Sequence, residues 1–298
     1  MANISFTKMH GCGNDYIYID GEANKISASD KPELVKKLSD RHFGIGGDGV
    51  IFINRPESGT SDFEMEMYNA DGSRAEMCGN GIRCVAKFVY EKGLIRGKDM
   101  SKDDLVIESC GKQKFLRLTI ENEKVTMVKV DMGEPILNPS DIPVIVPDEA
   151  VMKSDKIVDY PITVIPYSYR MTCVSMGNPH AVVFLNKNEV LSTYEIKDHG
   201  APFEVHQYFP KKTNVEFVHV DDRSNVHMRV WERGTGETLA CGTGCCAVTT
   251  ACILNGLTDD TVHVHVLGGE ITCTWDKTSG HIFMSGPATT VFEGSIEY

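Results

Sequence analysis

The chain has 298 residues and 10 cysteines but no Cys-x-x-Cys pair, and its nearest approaches to a ligand set are Cys241-x3-Cys245 and His263-Val264-His265. Structural zinc sites are assembled from closely spaced thiols and imidazoles, so no metal is expected. Ten cysteines in a chain this long are too dilute for a disulfide scaffold, and reduced thiols are the default. Lysine and arginine never form a run, and the formal net charge is −12. Affinity for nucleic acid begins with a basic surface, so no nucleic-acid partner is expected. No run of about 18 uncharged apolar residues is present, which argues against a membrane partner. Residues 1–8 have neither an apolar core nor an Arg-rich amphipathic pattern, and a cytoplasmic location is the expectation.

What is present is an ordinary globular composition, 41% hydrophobic and 24% charged, long enough for two domains or for one large α/β domain. Laying Cys78 on Cys241, a shift of 163 positions, exposes a weak internal repeat. Met65-Glu66-Met67-Tyr68 and Met228-Arg229-Val230-Trp231 both read as strands with an aromatic in the same register. Each leads through a polar turn into Cys-Gly-x-Gly: Cys78-Gly79-Asn80-Gly81 and Cys241-Gly242-Thr243-Gly244. Ile82, Val85, Ala86 and Val89 then follow at helical spacing, predicting an amphipathic helix that stops at Lys92-Gly93. Residues 245–255 are apolar almost all round, predicting a buried helix that stops at Gly256. Cysteine to final glycine is fifteen residues both times. Gly13-Asn14 is answered by Gly177-Asn178, and Gly49-Val50-Ile51-Phe52 by Asn214-Val215-Glu216-Phe217.

These matches predict an α+β protein of two pseudo-symmetric domains, each a mostly antiparallel β-sheet wrapped around a central helix. The expected halves are 1–133, carrying Cys78 and joined by a C-terminal strand over 288–298, and 134–287, carrying Cys241. The junction is placed at the Gly133-Glu134-Pro135 turn. A further helix is predicted over 31–41, with Asp30 as N-cap, Pro32 in the first turn, and Leu34, Val35 and Leu38 on one face.

Cys84, Cys110, Cys173, Cys252 and Cys273 are expected to be small core residues. Cys78 and Cys241 differ because each precedes a Gly-x-Gly turn that opens a helix, where free N–H groups and the helix dipole favour negative charge. A thiol pKa of about 8.5 is expected to be lowered there. Two such groups in matched domains point to an interdomain cleft. A stereocentre is inverted by removing a proton from one face and supplying one to the other, which takes one thiolate and one thiol. The helix N-termini would cradle a carboxylate whose charge grows as the α-proton leaves. No pyridoxal or metal is required, and no cofactor motif is present.

Asn69-Ala70-Asp71-Gly72-Ser73 through Cys78-Gly79-Asn80-Gly81-Ile82-Arg83-Cys84, Met176-Gly177-Asn178-Pro179-His180, and Glu232-Arg233-Gly234 through Thr238-Leu239-Ala240-Cys241-Gly242-Thr243-Gly244 make the chain resemble the diaminopimelate epimerases. The likeness runs from Met9-His10-Gly11 to the C-terminal strand. It implies interconversion of LL- and meso-2,6-diaminopimelate in lysine and peptidoglycan-precursor synthesis, without pyridoxal phosphate, in a homodimer. Carried over by motif, Cys78 and Cys241 are the acid/base pair, and Gly79, Asn80, Gly242 and Thr243 hold the reacting α-carboxylate. Asn14, Asn69, Asn178, Asn214, Glu232 and Arg233 hold the distal amino-acid end, with Arg233 suited to its carboxylate. His180 and Glu232 support catalysis from beside the site. Two positions depart from the family pattern: Gly49 stands where glutamine is frequent, and Cys12 where leucine is usual.

The residues themselves leave other readings open. One is a racemase for histidine or proline on the same scaffold, which Asn69 and Glu232-Arg233 disfavour. The others are a thiol redox sensor in which Cys78 and Cys241 pair reversibly, and a binding protein without catalysis.

Overall fold

The computed structural model describes residues 3–56, 59–75, 77–100, 104–186 and 188–298. Met1 and Ala2, at the start of the N-terminal stretch read above, lie outside them. The chain forms two compact units, Met1–Val130 with Ser285–Tyr298, and Asp131–Met284.

The first unit opens with the antiparallel pair β1 (Asn3–Gly11) and β2 (Asn14–Asp20). Their two-residue turn is Cys12-Gly13, with φ of 51° and 83°. Positive φ at both positions gives a turn whose twist matches the strands. Helix α1 (Lys31–Ser39) then crosses over, so that β3 (Gly49–Asn54) lies parallel to β2. Strand β4 (Phe63–Asn69) returns antiparallel, β5 (Arg74–Ala75) folds back on it, and α2 (Gly79–Glu91) follows. Strand β6 (Leu105–Ser109) pairs parallel with β4 and starts the meander β6, β7 (Lys112–Glu121), β8 (Lys124–Gly133). The last strand of the chain, β18 (Thr289–Glu297), pairs antiparallel with β1.

The second unit repeats this plan. After a short helix α3 (Glu149–Met152) come β9 (Ile157–Val164), β10 (Tyr167–Ser175) and β11 (Pro179–Phe184), all antiparallel. Helix α4 (Ile196–Glu204) crosses over to β12 (Asn214–Val220), parallel to β11. Strand β13 (Asn225–Glu232) returns, β14 (Gly236–Thr238) folds back, and α5 (Gly242–Leu254) follows. Strand β15 (Thr261–Val266) is parallel to β13 and antiparallel to β16 (Gly269–Trp275), ahead of β17 (Ile282–Gly286). Strand β9 beside β10 holds the place that β18 holds beside β1. That is why the end of the chain belongs to the first unit.

Strand alternation sends successive side chains to opposite faces of each sheet. Val50 and Phe52 pack with Leu34, Val35 and Leu38 of α1, while Ile51 approaches Gly81 of α2. Val215 and Phe217 pack with Ile196 and Phe203 of α4, while Glu216 approaches Gly244 of α5. Helix α2 packs on β1, β2, β6 and β7, and α5 on β10, β11, β12, β15 and β16, so each sheet wraps a central helix as expected. Each large apolar side chain buried in this way contributes about 1.5–3 kcal/mol.

Four local expectations are changed or sharpened. Helix α1 ends at Ser39, two residues before Arg41, because the Asp40 carboxylate accepts the N–H groups of His42 and Phe43 and turns the chain; the Asp30 side chain makes no cap. Helix α2 keeps the amphipathic pattern expected of it but is buried from Gly79 to Val89, since its polar positions include Arg83 and Lys87, whose charges are satisfied inside. Cys110 is exposed, at φ 48° in the turn between β6 and β7, because that turn and not the core needs the position. The units divide at Val130/Asp131 and Met284/Ser285, inside β8 and β17, rather than at turn residues; both strands run on without a break.

Candidate active site

In the first unit Cys78 is the N-cap of α2, with extended backbone, and its Sγ accepts the Gly81 N–H at 3.2 Å. The thiol donates to Asn14 Oδ1 at 3.1 Å. Asn14 is oriented from behind: its Nδ2 donates to Asp48 Oδ2 at 2.7 Å, and the other Asp48 oxygen accepts from Arg41 at 2.8 Å. Arg41 also grips Asp15 with both terminal nitrogens, and Lys8 pairs with Asp15 at 2.5 Å. Burial pushes the Asp15 carboxyl up, but Arg41 and Lys8 bring it below its ordinary range. The chain of charges ends on a neutral amide facing the thiol.

Asn80 is buried, and its Oδ1 accepts from Arg83 at 3.0 Å. Arg83, 0% exposed, also donates to the carbonyls of Gly79 and Pro287, both at 3.2 Å. A side chain on Gly11 or Gly286 would press on the guanidinium, so these glycines make room for it. Cys12 lies under the same group, Sγ 3.9 Å from Arg83. Asn69 ends β4, and its Nδ2 donates to Ser73 Oγ at 3.0 Å across the following turn. Gly49 pairs with Asn69, and a Cβ there would run into the Tyr68 carbonyl oxygen. With this backbone a glutamine does not fit at 49.

In the second unit Cys241 is the N-cap of α5; its Sγ accepts the Gly244 N–H at 3.4 Å and lies 3.4 Å from Thr243 Oγ1. The second glycine of each motif is required by proximity. A Cβ at 81 would lie 2.8 Å from Ile51 Cδ1 and 3.3 Å from Cys78 Cβ; one at 244 would lie 2.8 Å from Glu216 Oε1 and 3.3 Å from Cys241 Sγ. Asn178 Nδ2 donates to Thr243 Oγ1 at 3.3 Å, and Asn178 Oδ1 faces His180 Nε2 at 3.1 Å. His180 is buried, and its Nδ1 lies 2.6 Å from Glu216 Oε1. Asn214 is committed to backbone: Nδ2 donates to the Pro179 carbonyl at 2.8 Å and Oδ1 accepts the Arg233 N–H at 2.9 Å. It thereby places Arg233, whose exposed guanidinium reaches the Lys211 carbonyl at 3.1 Å. Thr238 donates to Glu232 Oε1.

The expected lowering of the thiol pKa does not hold at Cys241. Burial pushes this thiol well above its ordinary value, the charges of Glu232 and Glu216 push it further, and the bonds from Thr243 and Gly244 offset only part. Cys241 is 6% exposed, so the helix terminus acts on a thiol that water scarcely solvates.

Within the first unit the fold therefore gathers Asn14, Cys78, Gly79 and Asn80, with Asn69 in the turn beside Gly49. Within the second it gathers Asn178, His180, Asn214, Glu232, Arg233, Cys241, Gly242 and Thr243. Asp48, Arg83 and Glu216 were not anticipated. The signal for Glu216 was a carboxylate inside the apolar strand run Val215–Phe217.

The diaminopimelate epimerase family profile matches residues 6–138 and 172–291. A diaminopimelate epimerase of Methanococcus maripaludis is 51% identical over 294 residues, covering 99% of this chain and 100% of the relative. One of Agathobacter rectalis is 50% identical over 296 residues, covering 99% of each. Among solved structures, a hydroxyproline epimerase from Agrobacterium vitis superposes with a TM-score of 0.69 at 14% identity, covering 99% of this chain and 91% of that one. A Bacillus anthracis phenazine biosynthesis protein of the PhzF family gives 0.64 at 18% identity, covering 100% of both. These two likenesses concern the fold.

Proposed function

The chain belongs to the diaminopimelate epimerase family, and on that premise we propose that it interconverts LL- and meso-2,6-diaminopimelate by proton transfer between Cys78 and Cys241. The observation that carries the reading is the repeated cysteine cap: two thiols on matched helices, each accepting the N–H of the second glycine of its own Cys-Gly-x-Gly. One sulfur, as thiolate, takes the α-proton; the C–H bond breaks and an S–H bond forms. The other, as thiol, gives its proton to the opposite face, restoring a C–H bond with inverted configuration. The N–H groups opening α2 and α5, at Gly79, Asn80, Gly242 and Thr243, receive the α-carboxylate, where growing charge is favoured.

The distal zwitterion offers donors and acceptors to Asn14, Asn69, Asn178, Glu232 and Arg233, with Asn214 holding Arg233 in place. His180 and Glu232 support the proton transfers from the second unit. The scheme assigns no step to pyridoxal or to a metal. The same family relation supports a place in lysine and peptidoglycan-precursor synthesis, in the cytoplasm, as a homodimer, with no nucleic-acid partner. Among the described residues no helix is long and apolar enough to cross a membrane.

The test is proton NMR in deuterated water with LL- and meso-diaminopimelate. Wash-out of the α-proton signal with interconversion of the two isomers is expected. Serine at either 78 or 241 is expected to cut turnover by about a thousandfold or more, because the two sulfurs act as one unit. An absence of exchange with either isomer would overturn the substrate, and wild-type rates in either serine variant would overturn the mechanism.

A further inference from the structure

The two units present different chemistry at one equivalent position. The register of β2 with β3 sets Tyr16 opposite Gly49, and that of β11 with β12 sets His180 opposite Asn214, so Ile51 and Glu216 are counterparts. Both lie beneath the second glycine of their cysteine motif, each 2.8 Å from where a Cβ would be. The fold itself is content with isoleucine there. A carboxylate that is 0% exposed, with Oε2 lacking any hydrogen-bond partner among the described residues, is costly to bury. Such a group persists where its charge has a task.

The task is visible in what it touches. Glu216 Oε1 lies 2.6 Å from His180 Nδ1. From there contacts run without a gap through His180 Nε2 and Asn178 Oδ1 at 3.1 Å, Asn178 Nδ2 and Thr243 Oγ1 at 3.3 Å, and Thr243 Oγ1 and Cys241 Sγ at 3.4 Å. A carboxylate accepts only, so it demands the proton on Nδ1 and leaves Nε2 an acceptor; a half-turn of the Asn178 amide gives Nε2 an N–H donor and Thr243 Oγ1 an acceptor. We propose that Glu216 is a positioning residue for the epimerisation: it fixes the tautomer and ring orientation of His180, and through Asn178 and Thr243 sets the hydrogen-bond geometry at Cys241. The inference rests on the epimerase reading for its kinetic consequence, but not for the tautomer.

Two variants test it. Glu216→Ile copies the first unit and keeps an apolar, fold-compatible side chain, and Glu216→Gln keeps the shape while removing the charge. With diaminopimelate, kcat is expected to fall about a hundredfold in the isoleucine variant and about tenfold in the glutamine variant, with KM within about twofold of wild type. In ¹⁵N-histidine NMR of the substrate-free protein, His180 is expected as the Nδ1–H form in wild type and as a mixture of tautomers in Glu216→Ile. An unchanged His180 tautomer in that variant, or a kcat within about twofold of wild type in both, would overturn the proposal. If the wild-type protein leaves diaminopimelate untouched, the epimerase reading fails while the NMR comparison still decides the role of Glu216.

Discussion

The two cysteine loops share a backbone and differ in what surrounds the sulfur. Cys78 hands its hydrogen to the amide of Asn14, behind which stand Asp48 and then Arg41. Cys241 is buried and has the charges of Glu216 and Glu232 acting on it. A helix N-terminus is worth about 0.3–1 kcal/mol to a nearby anion, whereas a unit charge a few ångströms away is worth about 4 kcal/mol at intermediate dielectric. Burial and two carboxylates therefore outweigh the helix at Cys241 and favour the thiol. The duplication supplied two equivalent sulfurs, and side chains outside the motif made them unequal. In the proposed two-base scheme, which starts from one protonated and one deprotonated partner, that inequality suits Cys241 to the protonated role.

The sharpest way to break the comparison is to add the same methyl group to both motifs. In Gly81→Ala the nearest atom is Ile51 Cδ1, the free end of an aliphatic side chain that can yield. In Gly244→Ala it is Glu216 Oε1, held by His180. Turnover is expected to fall about a hundredfold at 244 and about tenfold at 81; steady-state kinetics in both variants checks this, and equal losses would mean that the carboxylate is as free to move as the methyl.

A second contrast lies one turn further on, at counterpart positions of the repeat. Arg83 holds Gly79, Asn80 and Pro287, whereas Cys246 in the second unit faces Cys273 at 3.9 Å in an apolar setting. Arg83→Met removes three buried side-chain hydrogen bonds and is expected to cost about 3 kcal/mol, lowering the melting temperature by roughly 5–10 °C. Cys246→Ala is expected to cost about 1 kcal/mol. Thermal unfolding of the pair decides whether the buried cation or the buried thiol anchors its helix.

The sulfurs can also be compared directly by alkylation with iodoacetamide, resolved by peptide mass mapping. Cys78 is half-buried and Cys241 nearly enclosed with a raised pKa. At neutral pH and without substrate, Cys78 is expected to react about tenfold faster or more. The Cys241 rate should climb as pH rises toward its raised pKa, because only then does the thiolate accumulate. Equal rates at neutral pH would remove the asymmetry.

The smallest effect is on alkaline stability. Burial pushes the Cys84 thiol up to about 11, with Arg83 and the Tyr18 hydroxyl offsetting part. An acid whose folded pKa is raised contributes stability that is complete below the unfolded value, about 8.5, and is lost as pH climbs through the folded one. The melting temperature is expected to decline between pH 8.5 and 11, less steeply in Cys84→Ala. Parallel slopes would show that other groups govern alkaline unfolding.

The repeat was legible because its landmarks are local. A glycine after each helix, a cysteine before it and a strand with an aromatic in fixed register are constraints that neighbouring residues impose on one another. Asp48, Arg83 and Glu216 were harder to read, because their roles come from partners such as Asn14, Pro287 and His180 that are distant in sequence. The burial of the polar face of α2 was hidden too, since a charged residue such as Arg83 in a helical pattern looks the same whether it faces water or a buried carbonyl.

The amino-acid order by itself therefore determined that two like units would each present a sulfur at the start of a central helix. It did so because caps, turns and strand alternation depend on backbone requirements spanning a few residues. The tertiary structure alone decided the environment of each sulfur, a directed amide in one unit and buried carboxylates in the other. Electrostatic energy depends on distance and burial, and strand pairing brings those groups together across long separations in the chain.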